Sequence, residues 1–467
     1  MSEPQGRFLT GSTMGHVVRM TATGAFGITF VFLVDAMNLF WLSQLGEPQL
    51  VAAVGFAYSI QFFSVSSGIG LMIAGTAIVS RSIGRGERRE ARGRAGASVA
   101  FAALIQLFVA SLVFGFRHEL VALAGATGDT ARLAARYLGM TVFSLVPMAI
   151  AMLNSGALRA DGFGAKAMYV TLFSGCLLAI LDPILILYMG LGLDGAAFGL
   201  VIFRFLLLGF SIYYAIYQER LVEMPSLECL RGAVRPFMVI AVPTIATQMA
   251  TPAGNYLLTM VMAQFGDDAV AAWAVVGRLT VLVFGGIFAL SGAIGGIFGQ
   301  NFGAGQFDRL RSTYRDALVF CAIYTLVAWV LLASAGRFVA AAFDLDGQGA
   351  DVVRAFTLIG VGGFVFIGAL FVSNAAFNNL GKPGRSTLLN WLNHGVLSWP
   401  IALGLSAVFG ASGVIYGQAV AGVIAGAIAA TWGWRYVLSL QPDVALDEIA
   451  PRPYPAPGAH PDRYRNR

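Results

Sequence analysis

Gly24-Ala25-Phe26-Gly27-Ile28-Thr29-Phe30-Val31-Phe32-Leu33-Val34-Asp35-Ala36-Met37-Asn38 is the stretch whose reading decides the fold. It lies inside a longer apolar run from Val17 to Leu45, enough for a membrane-spanning helix. The apolar run is then broken by an aspartate, with Asn38 about one turn later on the same face. At about 1.5 Å of rise per residue, Asp35 sits roughly 15 Å below Leu45, near the middle of a bilayer. A carboxylate at that depth costs several kcal/mol unless it meets water, a partner or a proton. The working reading is a functional site; the competing one is an aspartate that pairs with a neighbouring helix as structural glue.

The whole chain agrees with a membrane setting. Of 467 residues, 57% are hydrophobic and 12% charged, about half the charge of a soluble domain. The 57 glycines suit close helix–helix contacts. A net charge of +6 reports topology here and points to no nucleic-acid partner. Cys176, Cys229 and Cys321 are too few and too scattered for a disulfide framework or a metal site. The first apolar helix is too long for a cleavable signal and reads as an uncleaved anchor.

Apolar spans fall near 17–45, 50–79, 95–116, 133–157, 167–190, 194–217, 237–264, 270–298, 316–336, 354–378, 387–409 and 413–437. The expected fold is therefore all-α: twelve transmembrane helices in two six-helix lobes. Residues 1–14 read as a polar cytoplasmic tail, 15–217 as the N-terminal lobe, and 218–235 as a charged cytoplasmic linker. Residues 236–440 read as the C-terminal lobe and 441–467 as a proline-rich disordered tail. Lys and Arg concentrate in the even-to-odd loops: Arg81, Arg85, Arg88, Arg89, Arg92 and Arg94, then Arg159 and Lys166, later Arg309, Arg311 and Arg315. Acids such as Glu47, Asp194, Asp267, Asp268, Asp344, Asp346 and Asp351 fall in the opposite loops. The positive-inside rule puts both termini in the cytoplasm, with the chain in the inner membrane.

The halves repeat. Leu45-Gly46 matches Phe265-Gly266, Val51-Ala52-Ala53 matches Val270-Ala271-Ala272, and Asn154 matches Asn374. Gly195 with Gly199 matches Gly413 with Gly417, so the offset drifts only from 220 to 218 across six helices. An even number of helices per copy keeps both copies in one orientation, related by a pseudo-twofold axis along the membrane normal. That is a transporter architecture with its site between the lobes.

Several motifs then point to one family. Asp35 followed by Leu45-Gly46 and Val51-Ala52-Ala53-Val54-Gly55 resembles the first-helix region of multidrug and toxic compound extrusion (MATE) transporters. Gly299-Gln300-Asn301-Phe302-Gly303-Ala304-Gly305, Leu158-Arg159-Ala160-Asp161-Gly162 and Leu181-Asp182-Pro183 resemble that family's loop after helix 8, its helix 4–5 turn and its helix 5 motif. Within it the chain is most similar to the DinF-like branch, which Arg278 also fits. The resemblance covers about residues 15–440. It implies a secondary antiporter, with Asp35 and Asp182 as ion-coupling carboxylates.

Two departures bear on the ion. DinF-like relatives usually carry an asparagine four residues before the helix 5 aspartate and a threonine in helix 6; the matching places here are Leu178 and Leu200. Two oxygen ligands for a hard cation are missing, which favours H+ over Na+. The NorM-like branch has an acid in helix 7, where this chain reads Gln248-Met249-Ala250-Thr251. The proline usual early in helix 1 is also absent, with Met20 or Thr21 near its place.

The residues assign themselves accordingly. Asp35, Asp182, Asn38 and Asn154 are the ion-coupling set, since Pro183 frees a backbone carbonyl beside Asp182. Gln61, Gln248, Thr251, Asn255, Asn374, Asn378 and His394 are candidates for the substrate cavity wall, against the blander reading of hydrogen bonds between helices. Arg278 in helix 8 can neutralise acids or hold helix contacts; Arg204 in helix 6 has no family precedent, and both fit a structural pairing with carbonyls or carboxylates. The expected partners are a small cationic or amphipathic organic substrate, H+ or Na+, and the lipid bilayer. A monomer without cofactor or metal is expected. An enzyme would need a nucleophile–base, zinc or Walker pattern, and the sequence has none. A related lipid or oligosaccharide flippase is the alternative.

Overall fold

The computed structural model describes residues 6–343 and 345–441. Residues 1–5, Asp344 and residues 442–467, where the sequence suggests a disordered tail, lie outside the described residues. Among the described residues, twelve helices are long and apolar enough to span a membrane. They are α1 Thr13–Ser43, α2 Pro48–Gly84, α3 Arg88–Gly115, α4 Gly128–Ala160, α5 Gly164–Tyr188 and α6 Gly192–Gln218. The second set is α7 Leu227–Ala263, α8 Asp267–Gly303, α9 Phe307–Gly336, α10 Gly347–Asn379, α11 Pro383–Phe409 and α12 Ser412–Ser439. A short helix, Arg117–Leu123, precedes α4.

The charged interval 218–235 is only partly a loop, because α7 starts at Leu227. The Ser226 side chain caps it by accepting from Cys229 N at 3.2 Å, satisfying a donor that the first turn leaves open.

Several helices are broken where the sequence gives cause. In α4 a 3₁₀ turn covers Val142–Ser144, just where Pro147 would crowd the carbonyl four residues back. Its counterpart in α10 is Gly360–Gly363, three of whose four residues are glycine. After Pro183, α5 widens into a π-helical turn, Ile184–Tyr188. In α8 the backbone leaves helical geometry at Phe284 (φ −103°, ψ 15°), and that ring stacks on Phe364 at 4.0 Å between centroids.

The two lobes of six helices join along α1, α2, α7 and α8. Close approach at the seam depends on missing side chains: a Cβ at Gly70 would lie 2.7 Å from Ile245 N, and one at Gly299 would lie 2.7 Å from Ser80 Cβ. Arg81 of α2 donates to the Asn379 carbonyl at 2.8 Å and to that of Asn378 at 3.2 Å. Gln300 of α8 donates to the Ala160 carbonyl at 2.7 Å. In the middle of the seam, the Thr244 hydroxyl donates to the Gly70 carbonyl at 2.8 Å. Among the described residues, every hydrogen bond between lobes lies at this level or nearer the arginine-rich end. The lobes are tied at one end.

Helix α1 does not belong to one lobe alone. Val17 and Met20 are buried in the core of the C-terminal lobe, whereas Val34 and Leu42 are buried in N-terminal clusters. Gly24 faces Ala289, and Thr29 faces Gly285. Asp35 lies six residues further on, about 9 Å along the helix.

Candidate ion-coupling site

Asp182 is fully buried on the last turn of α5 before the π-helical segment. Asn38 reaches across from α1 and donates from Nδ2 to Asp182 Oδ2 at 2.9 Å. The other carboxylate oxygen, Oδ1, has no hydrogen-bond partner. It points at α6, into the space left by the absent side chain of Gly199. The same space is bordered by Leu178, whose Cδ1 lies 3.3 Å from where a Gly199 Cβ would be. Leu200 packs into the neighbouring apolar cluster. On the side facing α6, Oδ1 is bordered by Leu178 and a glycine, and among the described residues no side chain hydrogen-bonds it.

Asp35 is half-exposed and, among the described residues, makes no hydrogen bond. It lies within electrostatic reach of both Asp182 and Arg204. The guanidinium of Arg204 is only 4% exposed, and its donors are engaged within the N-terminal lobe. It donates to the Thr141 carbonyl at 3.1 Å and to Ser144 Oγ at 2.9 Å from one nitrogen, and to Gln61 Oε1 at 2.6 Å from another. The Thr141 carbonyl, at the point where the helix passes into the 3₁₀ turn, also accepts from Ser144 Oγ at 2.5 Å, so Arg204 is its second donor. Gln61 is held in turn by donating to Thr141 Oγ1 at 2.6 Å. The cluster holds two carboxylates and one guanidinium, a formal charge of −1 when both acids are ionised.

The other expected positions divide. Asn38 and Asp182 come together with Asp35 nearby. Asn154 is buried in α4 and donates to Ser211 Oγ at 3.1 Å; its Oδ1 has no partner, and none of its hydrogen bonds reaches the aspartates. Gln61 was expected on a cavity wall but is 3% exposed and committed to Arg204 and Thr141. Asn374 and Asn378 are likewise buried. The Asn374 side chain accepts from Asn390 Nδ2 at 3.0 Å, and the Asn378 carbonyl takes Arg81 at the seam. The Gln61 and Asn374 amides have partners on neighbouring helices, whereas the Asn378 Oδ1 has none. Gln248 and Thr251 are half-exposed and Asn255 is exposed, so the α7 stripe keeps its polar groups free. His394 packs against Gly254, where a Cβ would come within 2.7 Å of its own.

Sequence reasoning left Arg204 without a role and missed Thr141 and Ser144. The signal was present: a lone arginine in Gly199-Leu200-Val201-Ile202-Phe203-Arg204-Phe205 needs acceptors at its own depth. The polar pair beside the Pro147 break supplies them. Arg278 is exposed and, among the described residues, has no ion-pair partner; Arg204 is the intramembrane cation within electrostatic reach of Asp35.

The MatE family model matches residues 25–184 and 243–403, one stretch in each lobe. The chain belongs to the MatE family. It is a multi-pass membrane transporter, not an enzyme, in a family of multidrug efflux proteins that bind small organic substrates. Among its relatives, an FAD transporter of Shewanella oneidensis is 23% identical over 432 residues, covering 91% of this chain and 94% of that protein. The multidrug export protein MepA of Staphylococcus aureus is 22% identical over 394 residues, covering 82% of this chain and 85% of its own length. Among solved structures, the Vibrio cholerae MATE transporter VcmN in the bent form has a TM-score of 0.84 at 22% identity, over 91% of this chain and 97% of that one. A MOP superfamily transporter from Pyrococcus furiosus reaches 0.86 at 20% identity, over 94% and 99%. These likenesses carry the fold that the repeat implied.

Proposed function

We propose that this MatE protein exports amphipathic organic compounds by alternating access, driven by inward proton flow through Asp35 and Asp182. The observation that carries the ion is Asp182 Oδ1, which faces Leu178 and Gly199 without a partner. A hard metal cation is held by several oxygens, and the ones that sequence comparison leads one to expect are leucines here. A proton neutralises a carboxylate without needing that shell. Arg204 already supplies one fixed positive charge, so a single proton brings the cluster of three charges to neutrality. The α7 stripe Gln248, Thr251 and Asn255 then offers a substrate adaptable polar contacts on the facing lobe.

The orientation belongs to the same reading: the arginine-rich end, where the lobes are tied, is cytoplasmic, and the cleft opens outward. Residues 15–217 and 236–440 move as the two lobes. Cysteines introduced at Gly46 and Gly86 should then label from opposite faces of the membrane.

The deciding experiment reconstitutes the protein in liposomes and imposes an outside-acid gradient at fixed Na+, then a Na+ gradient at fixed pH. Export that follows the pH gradient is the expected result. Export that responds to sodium alone would overturn the proton. The relative named as an FAD transporter adds a phosphate-bearing substrate to the compounds worth loading.

A further inference from the structure

The segment before α1 reads as a polar tail, yet it is built into the seam. Phe8 is 2% exposed. Its N–H donates to Gln300 Oε1 at 3.0 Å, and its carbonyl accepts from Arg309 at 2.8 Å. Arg309 also donates to the Gly11 carbonyl at 2.9 Å, and Thr13 donates to Asp316 at 2.5 Å. These four contacts fix the strap to the C-terminal lobe. On its other side Arg7 lies over the Phe163 ring at 3.8 Å, next to the α4–α5 turn of the N-terminal lobe.

Between strap, α1 and that turn lies a cavity of about 360 Å³ lined by Arg7, Phe8, His16, Arg19, Met20 and Gly162. Its volume is in the range of small-ligand sites. Two guanidinium groups line it, and among the described residues neither Arg7 nor Arg19 has an ion-pair partner. The acids close by are engaged: Asp161 pairs with Arg88, and Asp316 holds Thr13 and Arg315. His16 is engaged, with Nε2 bonded at 2.7 Å to the carbonyl of Thr10, which also lines the cavity. Phe8 and Met20 supply an apolar wall.

We propose that this cavity binds the phosphate of an anionic phospholipid headgroup, and that its occupancy holds the strap across the seam. Two uncompensated arginines match the planar, bidentate recognition of phosphate. The cavity lies beside the first two turns of a membrane-spanning helix, where a lipid phosphate meets the protein. A filled site bridges Arg7, which lies over Phe163 of the N-terminal lobe, to Arg19 of α1, whose neighbours Val17 and Met20 are buried in the C-terminal core, and so favours the state in which the lobes are tied at this end.

The test is native mass spectrometry of the full-length protein released from nanodiscs of phosphatidylcholine with phosphatidylglycerol. The wild type should retain phosphatidylglycerol several-fold over phosphatidylcholine, and Arg7→Gln/Arg19→Gln should lose that preference. Arg7→Lys/Arg19→Lys, which keeps the charge, should hold part of it. Thermal protection by phosphatidylglycerol should follow the same order. Equal retention of both lipids, or unchanged preference in the Gln pair, would overturn the site. Protection of the wild type by millimolar inorganic phosphate and not by phosphatidylglycerol would keep the phosphate chemistry and overturn the lipid as its source.

Discussion

Gly199 in α6 and Gly417 in α12 hold matching places in the repeat, yet different groups occupy the space each leaves. At Gly199 the space is taken by a carboxylate, Asp182 Oδ1; at Gly417 it is taken by backbone, with Ala402 N 2.6 Å from where a Cβ would be. The same contrast recurs at the helix breaks. At the 3₁₀ turn in α4 the Thr141 carbonyl accepts from the charged Arg204 of α6 as well as from Ser144 Oγ. The turn in α10 follows the Leu358 carbonyl, which accepts from Trp329 Nε1 at 2.9 Å. One scaffold has been furnished twice, once with charge and once with neutral packing. On the proposed function, coupling through carboxylates falls to the N-terminal lobe, and the C-terminal lobe supplies the facing surface.

The contrast is broken most directly by neutralising the acids. Asp35→Asn and Asp182→Asn should each reduce gradient-driven export to background while leaving thermal stability near that of the wild type, since an amide keeps the volume. Export from either variant at wild-type rate would return that residue to packing. Arg204 comes next. Arg204→Met leaves Gln61 Oε1 without its donor, worth about 1–3 kcal/mol if it stays unsatisfied, and removes the second donor to the Thr141 carbonyl and the donor to Ser144 Oγ. A marked fall in the detergent thermal midpoint is expected, with export lost as well. Trp329→Phe removes one donor from the matching break and should lower the midpoint less. An equal fall in both would mean the two breaks are held alike.

Smaller effects separate the glycines. Gly417→Ala meets backbone, which cannot move aside, and overpacking of that kind costs about 1–3 kcal/mol. Gly199→Ala meets the end of an aspartate side chain, which can rotate. The first should reduce stability more and the second should reduce export more, measured on the same preparations. A reversal of that order would show that Asp182 is rigidly held and Ala402 is not.

Much of this was legible in the sequence because both signals are periodic. Twelve apolar runs and a repeat with an offset of about 219 needed no structure, and intramembrane aspartates stand out by cost alone. The pairing of Asn38 with Asp182 across 144 residues was harder to see, although both residues had been singled out. The role of Arg204 was not legible, because its acceptors are a backbone carbonyl and two side chains on separate helices. Composition also hid the strap: one phenylalanine among polar neighbours looks like a tail until Gln300 and Arg309 are seen to bind its backbone. The seven polar candidates for the cavity wall could not be sorted, since burial of an amide depends on which way its helix is turned.

The smallest expected effect tests whether the neutral lobe is inert. Asn390 of α11 and Asn374 of α10 form a buried pair, and Asn374 is the repeat match of Asn154, whose own partner is Ser211 of α6. Asn390 Nδ2 also donates to the Ser386 carbonyl at 2.8 Å within its own helix. Asn390→Ala therefore removes one interhelical bond, and such bonds inside membrane proteins average about 0.6 kcal/mol. Export should stay within about threefold of wild type, because a loss of that size changes an equilibrium by roughly threefold. The measurement is initial export rate under the gradient that drives the wild type, alongside the thermal midpoint. A rate at background with an unchanged midpoint would show that the amide pair takes part in coupling, and the division of labour between the lobes would have to be redrawn around it.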